Sequence, residues 1–263
     1  MKDFTLSLKS EFYKSKNTLA FWGAIILPVF LCLIVFSIYL FKADSIIKAM
    51  KSPAPEVYWF EYFMAILALM GSLLLPMYLI FMTYSINNIE HKAETWKSLF
   101  SLPIPKFTVY ASKAIYSLIL VFITMLLFLG LTIGLGLLLG KLVPNYHLLD
   151  ADLTKLFGDL TKIYTKLFIS SLAIVSIQFL FSLIWPDFMK PMGFGFIALI
   201  TCLILLRWEY SYVLPYALPM KALGLNGGKS ELIIFNKEAF ISIGYAIGFF
   251  ALGYFVITKR SVK

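Results

Sequence analysis

Charge is scarce in this chain: 14% of its 263 residues are Asp, Glu, Lys or Arg, while 60% are hydrophobic and the mean hydropathy is +0.86. Soluble domains carry about 25% charged and roughly 45–50% apolar residues, so this composition lies outside their range and points to one polytopic membrane domain. Cysteine is almost missing. Cys32 and Cys202 both sit in apolar runs, which leaves no disulfide framework and no zinc spacing, and both read as packing residues. Histidine is equally rare. His91 and His147 fall in loops expected on opposite sides of a membrane, no H-E-x-x-H occurs, and His91 reads as a solvated loop residue. No metal, catalytic or cofactor residue is therefore expected in the chain.

A phosphate-binding loop is also lacking. The nearest approach, Gly224-Leu225-Asn226-Gly227-Gly228-Lys229-Ser230, has Leu223 where the first glycine of G-x-x-x-x-G-K-[ST] belongs, and it reads as a flexible turn. The longest stretch outside the apolar runs, 207–239, is too short to bury a core of its own. A separate soluble domain is not expected.

What the chain has in abundance is long apolar runs. A bilayer core of about 30 Å needs roughly 20 helical residues at about 1.5 Å each, and six runs qualify as transmembrane helices: about 20–41, 62–86, 114–140, 167–185, 191–206 and 240–258. The fifth is the shortest. The first follows Lys2, Lys9, Lys14 and Lys16, but it is longer than a signal-peptide core and lacks a small-x-small cleavage site, so it reads as a retained span. The predicted fold class is all-α: a polytopic membrane protein of six transmembrane helices plus amphipathic interfacial helices, forming one domain over 1–263.

Within the six runs there is no Asp, Glu, Lys, Arg or His, and Gln178 is their only long polar side chain. Proton relays, ion pathways and intramembrane hydrolases use such groups, so ion-coupled transport and intramembrane catalysis are disfavoured. ATP is the remaining energy source for a transporter, and another chain must hydrolyse it.

Six spans put both termini on one side. Residues 1–19, 87–113, 186–190 and 259–263 hold 12 Lys/Arg in 56 positions, against 11 in the 79 positions of 42–61, 141–166 and 207–239. The denser set marks the cytoplasmic side, so both termini are expected inside a cytoplasmic membrane. Basic loops beside an anionic leaflet, at about 1 kcal/mol per lysine, account for the net charge of +9 without a nucleic-acid partner.

Several segments outside the runs are patterned. Ile89, Ala93, Trp96 and Phe100 recur at helical spacing, opposite Glu90, Glu94 and Lys97, which predicts a short amphipathic helix over 87–102 that Pro103 and Pro105 end. It suits docking in a partner's cleft, with Trp96 and Leu99 as anchors and the carboxylates pairing with partner cations; it equally suits lying on lipid. Phe4, Leu8 and Phe12 line one side of an N-terminal helix, with Lys9 and Lys16 on another. Between spans three and four, Leu153, Leu156, Phe157, Leu160, Ile163, Tyr164 and Leu167 oppose Asp152, Lys155, Asp159, Lys162 and Lys166. That helix either lies on the outer leaflet or continues span four. Gly130, Gly134, Gly136 and Gly140, and Gly244 and Gly248, permit close helix approach, within the chain or between copies.

The stretch Leu8-Lys9-Ser10-Glu11-Phe12-Tyr13-Lys14-Ser15-Lys16, with Phe21-Trp22 and Pro28 beyond it, resembles the opening of ABC-2 type transporter permeases, especially those associated with bacteriocin and lantibiotic immunity. The segment from Glu90 to Pro103, with Tyr110 and Lys113 after it, resembles the same family between its second and third spans. The resemblance implies a permease subunit that pairs with a second permease subunit and with separate P-loop ATPase subunits, ATP and Mg being held by the partner. It further implies an N-terminal helix along the cytoplasmic interface and a coupling helix that docks the ATPase, made by Glu90, Glu94, Trp96, Lys97, Leu99, Leu102 and Pro103. For the aromatic, proline-broken run from Trp208 to Met220 it implies re-entrant half-helices; a plain aromatic belt fits the same residues. The substrate class is a hydrophobic or amphipathic peptide, drug or lipid-like compound. A non-transporting membrane scaffold or sensor is the alternative function.

Overall fold

The computed structural model describes residues 2–50, 54–93, 104–224 and 233–259, and among them every regular element is a helix. Five helices are long and apolar enough to cross a membrane: Leu19–Phe41, Pro55–Lys92, Lys106–Leu142, Leu153–Ile184 and Lys237–Lys259. In hydrocarbon no water satisfies backbone N–H and C=O groups, so an apolar run of this length closes its own hydrogen bonds as a helix. Together with the apolar composition, these helices define an all-α, multi-pass membrane protein.

In chain order, α1 is Lys2–Ser15, α2 is Leu19–Phe41 and α3 is Ala43–Met50. The next span is α4, Pro55–Leu69, a π-turn at Met70–Leu74, and α5, Leu75–Lys92, without interruption. Pro76 explains the wide turn: its ring nitrogen has no hydrogen to give the carbonyl four residues back, and the ring crowds that carbonyl. Helix α6, Lys106–Leu142, starts directly after Pro105 and stops before Pro144. Helix α7, Leu153–Ile184, is capped by Asp152, whose carboxylate accepts from the N–H groups of Thr154 (3.0 Å) and Lys155 (3.2 Å). Helices α8, Met189–Ile204, α9, Leu218–Ala222, and α10, Lys237–Lys259, complete the chain.

Helix α7 is the centre of the bundle. Its most apolar window is 72% buried, against 28% in α2 and 22% in α10, and α5, α6, α8, α9 and α10 all pack on it. Its serines make close approach possible. Ser170, Ser176 and Ser182 are fully buried and turn their hydroxyls back to carbonyls one turn earlier. Ser242 of α10 reaches across to the Ile169 carbonyl at 2.8 Å and accepts from the Ala173 N–H at 3.0 Å.

Three sequence expectations change. The sixth apolar helix, α8, has 16 residues and so rises only about 24 Å, short of a bilayer core; turns at Leu205–Arg207 end it. The helix predicted separately at 87–102 begins inside α5, which runs on to Lys92 because Asn87, Glu90 and His91 all find partners inside the bundle; residues 94–103 lie outside the described ones. Between spans three and four the second alternative holds: residues 153–167 are the first half of α7. Lys166, assigned to the charged face, is 5% exposed, since at its level the surrounding helices have closed around α7.

The glycines divide. A Cβ on Gly136 would lie 2.3 Å from the ring of Trp59, and one on Gly140 3.0 Å from Leu148, so these two serve packing within the chain. Gly130, Gly134, Gly244 and Gly248 have nothing within 4 Å of such a Cβ. The aromatic run divides too: Trp208, Tyr210 and Val213 are about half exposed, whereas Tyr216 to Met220, Ala222 and Leu223 are buried. Gln178 Nε2 donates to the Tyr216 hydroxyl at 2.5 Å and holds that stretch on α7.

Trp59 cannot yield easily, because its indole N–H is fixed on the Leu148 carbonyl at 2.8 Å. Gly136→Ala is therefore expected to cost about 1–3 kcal/mol of overpacking, read as a lower unfolding temperature of the purified protein. Gly134→Ala, where a methyl meets nothing, is expected to leave that temperature unchanged or raise it slightly.

Candidate functional site

Four charged side chains from three distant segments meet where α1, the end of α5 and the start of α6 come together. Residues at three- and four-residue intervals turn one side of α1 toward α6: Phe4, Ser7, Leu8, Glu11, Phe12 and Ser15. Ser7 shares a 2.7 Å hydrogen bond with Ser112, Ser15 bonds the Tyr116 hydroxyl, and the Phe12 ring meets Tyr116 edge-on at 4.7 Å. Glu11 sits between these contacts and is 3% exposed.

The charge that answers Glu11 is Lys113 of α6, itself 1% exposed. Lys113 Nζ lies 2.8 Å from Glu11 Oε2 and 3.2 Å from Oε1 of Glu90, the α5 carboxylate that is also 1% exposed. Lys14, 30% exposed at the side chain, closes the group from α1: its Nζ is 2.9 Å from Glu90 Oε1 and 3.6 Å from Glu11 Oε1. Two carboxylates and two ammoniums cancel. Burial works against the Lys14 ammonium, but the hydrogen bond to Glu90 and the charges of Glu11 and Glu90 outweigh it, and its pKa is raised above the ordinary lysine value.

The end of α5 is tied to α7 as well. Asn87 Nδ2 donates to the Ser182 hydroxyl at 2.8 Å, and His91 Nε2 lies 3.0 Å from the Ser182 carbonyl oxygen, so His91 is anchored on a helix rather than solvated in a loop. On the other side Tyr110 of α6 donates to the Phe250 carbonyl of α10 at 2.7 Å, over Gly253. Three helices, α1, α7 and α10, thus hold the end of α5 and the start of α6, which lead into and out of residues 94–103.

Of the residues expected to dock a partner, Glu90 lies in this buried group and spends its carboxylate on Lys14 and Lys113. Glu94, Trp96, Lys97, Leu99, Leu102 and Pro103 lie outside the described residues. Sequence reasoning did not assign Glu11, Lys14, Lys113 or Asn87 a role. The available signal was Glu11 itself, a carboxylate on the apolar side of α1 between Leu8 and Phe12. Among the described residues no group of three His, Cys, Asp or Glu side chains is placed to hold a metal ion. The arrangement is mechanical: it fixes helices to one another.

Long apolar helices packed around a central one, three of the chain's helices being joined by a neutral ionic group, define a membrane domain. The profile of the ABC-2 family transporter proteins matches residues 7–218, and the chain belongs to that family. It is a multi-pass permease of the ABC transporter class, and permease domains of this family are not themselves ATPases. No curated protein and no solved structure matches the chain.

Removing one partner of a buried pair strands the other charge, so Lys113→Met, which leaves Glu11 and Glu90 facing Lys14 alone, is expected to cost about 3–5 kcal/mol in thermal unfolding. Adding Glu11→Gln restores neutrality and is expected to recover a large part of that loss. Glu11→Gln lowering stability further in the Lys113→Met background would refute the electrostatic account.

Proposed function

We propose that this permease is the membrane subunit of an ATP-driven exporter, working beside a second permease subunit and with separate P-loop ATPase subunits that hold ATP and Mg. Residues 94–103 are the docking element for the ATPase, with Trp96 and Leu99 as apolar anchors, Glu94 and Lys97 as charged contacts, and Leu102 and Pro103 at its exit. The observation that carries this reading is the ionic group at both flanks of that segment. Glu90 stands four residues before Glu94, Lys113 ten residues after Pro103, and both are bound to α1. A push on the docking element from an ATPase closing on ATP is passed to α1, α5 and α6 as one body, because the ion pairs tie the three together.

The cargo is a hydrophobic or amphipathic peptide, drug or lipid-like compound, in keeping with apolar runs that carry no charge and with the resemblance to immunity-associated permeases. The lysine and arginine bias supports both termini, and so the ionic group, on the cytoplasmic side of a cytoplasmic membrane, an arrangement that requires α8 with the turns after it to make the sixth crossing.

The test is to purify the tagged chain with the products of its neighbouring reading frames in mild detergent and identify what is retained. A stoichiometric P-loop ATPase is expected, and Trp96→Glu with Leu99→Glu is expected to lose both it and transport while the permease stays folded. Full retention of ATPase and transport in that variant would refute the docking role. A folded preparation without any ATPase would leave the chain as a scaffold.

A further inference from the structure

A second feature lies on the far side of α5. A cleft of about 490 Å³ opens between the elbow joining α1 to α2, the last turns of α5 and the corner joining α7 to α8. Phe81, Ser85, Asn88 and Lys92 line it from α5, at intervals of four, three and four residues, so they form one stripe on the helix face turned away from Glu90. Along about 16 Å of helix the stripe passes from aromatic through hydroxyl and amide to ammonium. Phe188 faces Phe81 at 6.3 Å between ring centroids, and Asn17 adds an amide at the charged end.

The cleft has one charge sign. Among the described residues Lys92 is its only charged lining residue, and Asp187 at the nearby corner is neutralised by Lys190 at 2.9 Å. The Tyr84 hydroxyl donates to Asn88 Oδ1 at 3.0 Å, which leaves the Asn88 amino group to donate elsewhere. Thr18 turns its hydroxyl back to the Ser15 carbonyl and does not cap α2, so the start of that helix is left uncapped by its side chain at the wall of the cleft. The rim is apolar and open: Leu19 is 76% exposed and Phe188 46%. This is the polarity profile of a phospholipid read from its acyl chains to its phosphate.

We propose that the cleft binds an anionic phospholipid, its phosphate at Lys92 and Asn88, its glycerol region at Ser85 and its upper acyl carbons against Phe81 and Phe188. The site needs only that this end of the bundle meets a leaflet, and it stands whether or not an ATPase docks nearby. Bound there, the lipid fills the wedge between α2 and α5 on the side of α5 away from the ionic group, as a part of the folded protein rather than as cargo.

Native mass spectrometry of the intact chain, titrated with phosphatidylglycerol or phosphatidylcholine of matched acyl chains, tests it. Phosphatidylglycerol is expected to bind about fivefold more tightly, the margin of one near-surface lysine, and Lys92→Gln is expected to erase that margin. Ser85→Phe, which fills the cleft with Lys92 in place, is expected to lose the bound lipid while the protein stays monodisperse and helical. Equal phosphatidylglycerol binding by wild type and both variants would overturn the site. So would loss in Lys92→Gln with full binding in Ser85→Phe, which would put the lipid on the open surface. Displacement of phosphatidylglycerol by inorganic phosphate at comparable concentration would make this a small-anion site and also overturn the lipid assignment.

Discussion

An ammonium as closed off from solvent as Lys113 keeps its charge only if carboxylates reach it, and here they come from 102 residues earlier, on α1, and from α5. Desolvating such a group costs several kcal/mol per ion, roughly what good geometry returns, so the cluster contributes little to net stability. What it contributes is an answer to where three helices must stand. Leucine against phenylalanine accepts many rotations at similar energy. A buried lysine accepts only those that bring both carboxylates within hydrogen-bond reach.

The middle of the bundle solves a different problem by other means. Hydrocarbon gives helices no hydrophobic reason to associate, so contact depends on small residues and on hydroxyls that satisfy backbone groups across an interface. Ser242 between α7 and α10 does the second. Gly136 beneath Trp59 and Gly253 beneath Tyr110 do the first, and in each case a large ring with a hydrogen bond to a backbone carbonyl lies on a glycine. Helix α7, hedged with serines, can be central because it presents small polar groups on nearly every side.

The all-α class was legible because hydrocarbon imposes one polarity and one way of closing backbone hydrogen bonds; the number of span-length helices was not, since the run at 191–206 lies in the 16-residue α8. Helix ends were not. Charge-free windows stop at Ile86 and begin at Ala114, yet the helices run on to Lys92 and back to Lys106, because Asn87, Glu90 and Lys113 are sheltered by other helices rather than by water. Glu11, Lys14, Glu90 and Lys113 each look like an ordinary flanking charge, and the pairing of Lys14 with Glu90 across 76 residues and of Glu11 with Lys113 across 102 leaves no periodic trace. The glycines show the same limit: spacing marked Gly130, Gly134, Gly136 and Gly140 alike, and only the fold separates the two that touch a neighbour from the two that do not.

The π-turn at Met70–Leu74 bears on all of this through register. Ahead of it the buried face of α4 follows Tyr58, Trp59, Tyr62, Phe63, Ile66, Leu67 and Met70; beyond it burial spreads around more of the helix, from Leu75, Pro76, Tyr78, Leu79 and Ile80 to Ile86, Asn87 and Glu90. A π-turn closes its hydrogen bond one residue later than an α-turn, so it shifts the phase of the helix beyond it. Glu90, which meets Lys113, stands sixteen residues beyond the end of that turn, which lies near the midpoint of the span. The polarity of one membrane face is thereby phased against the packing of the other, and the phase is stored in a single widened turn.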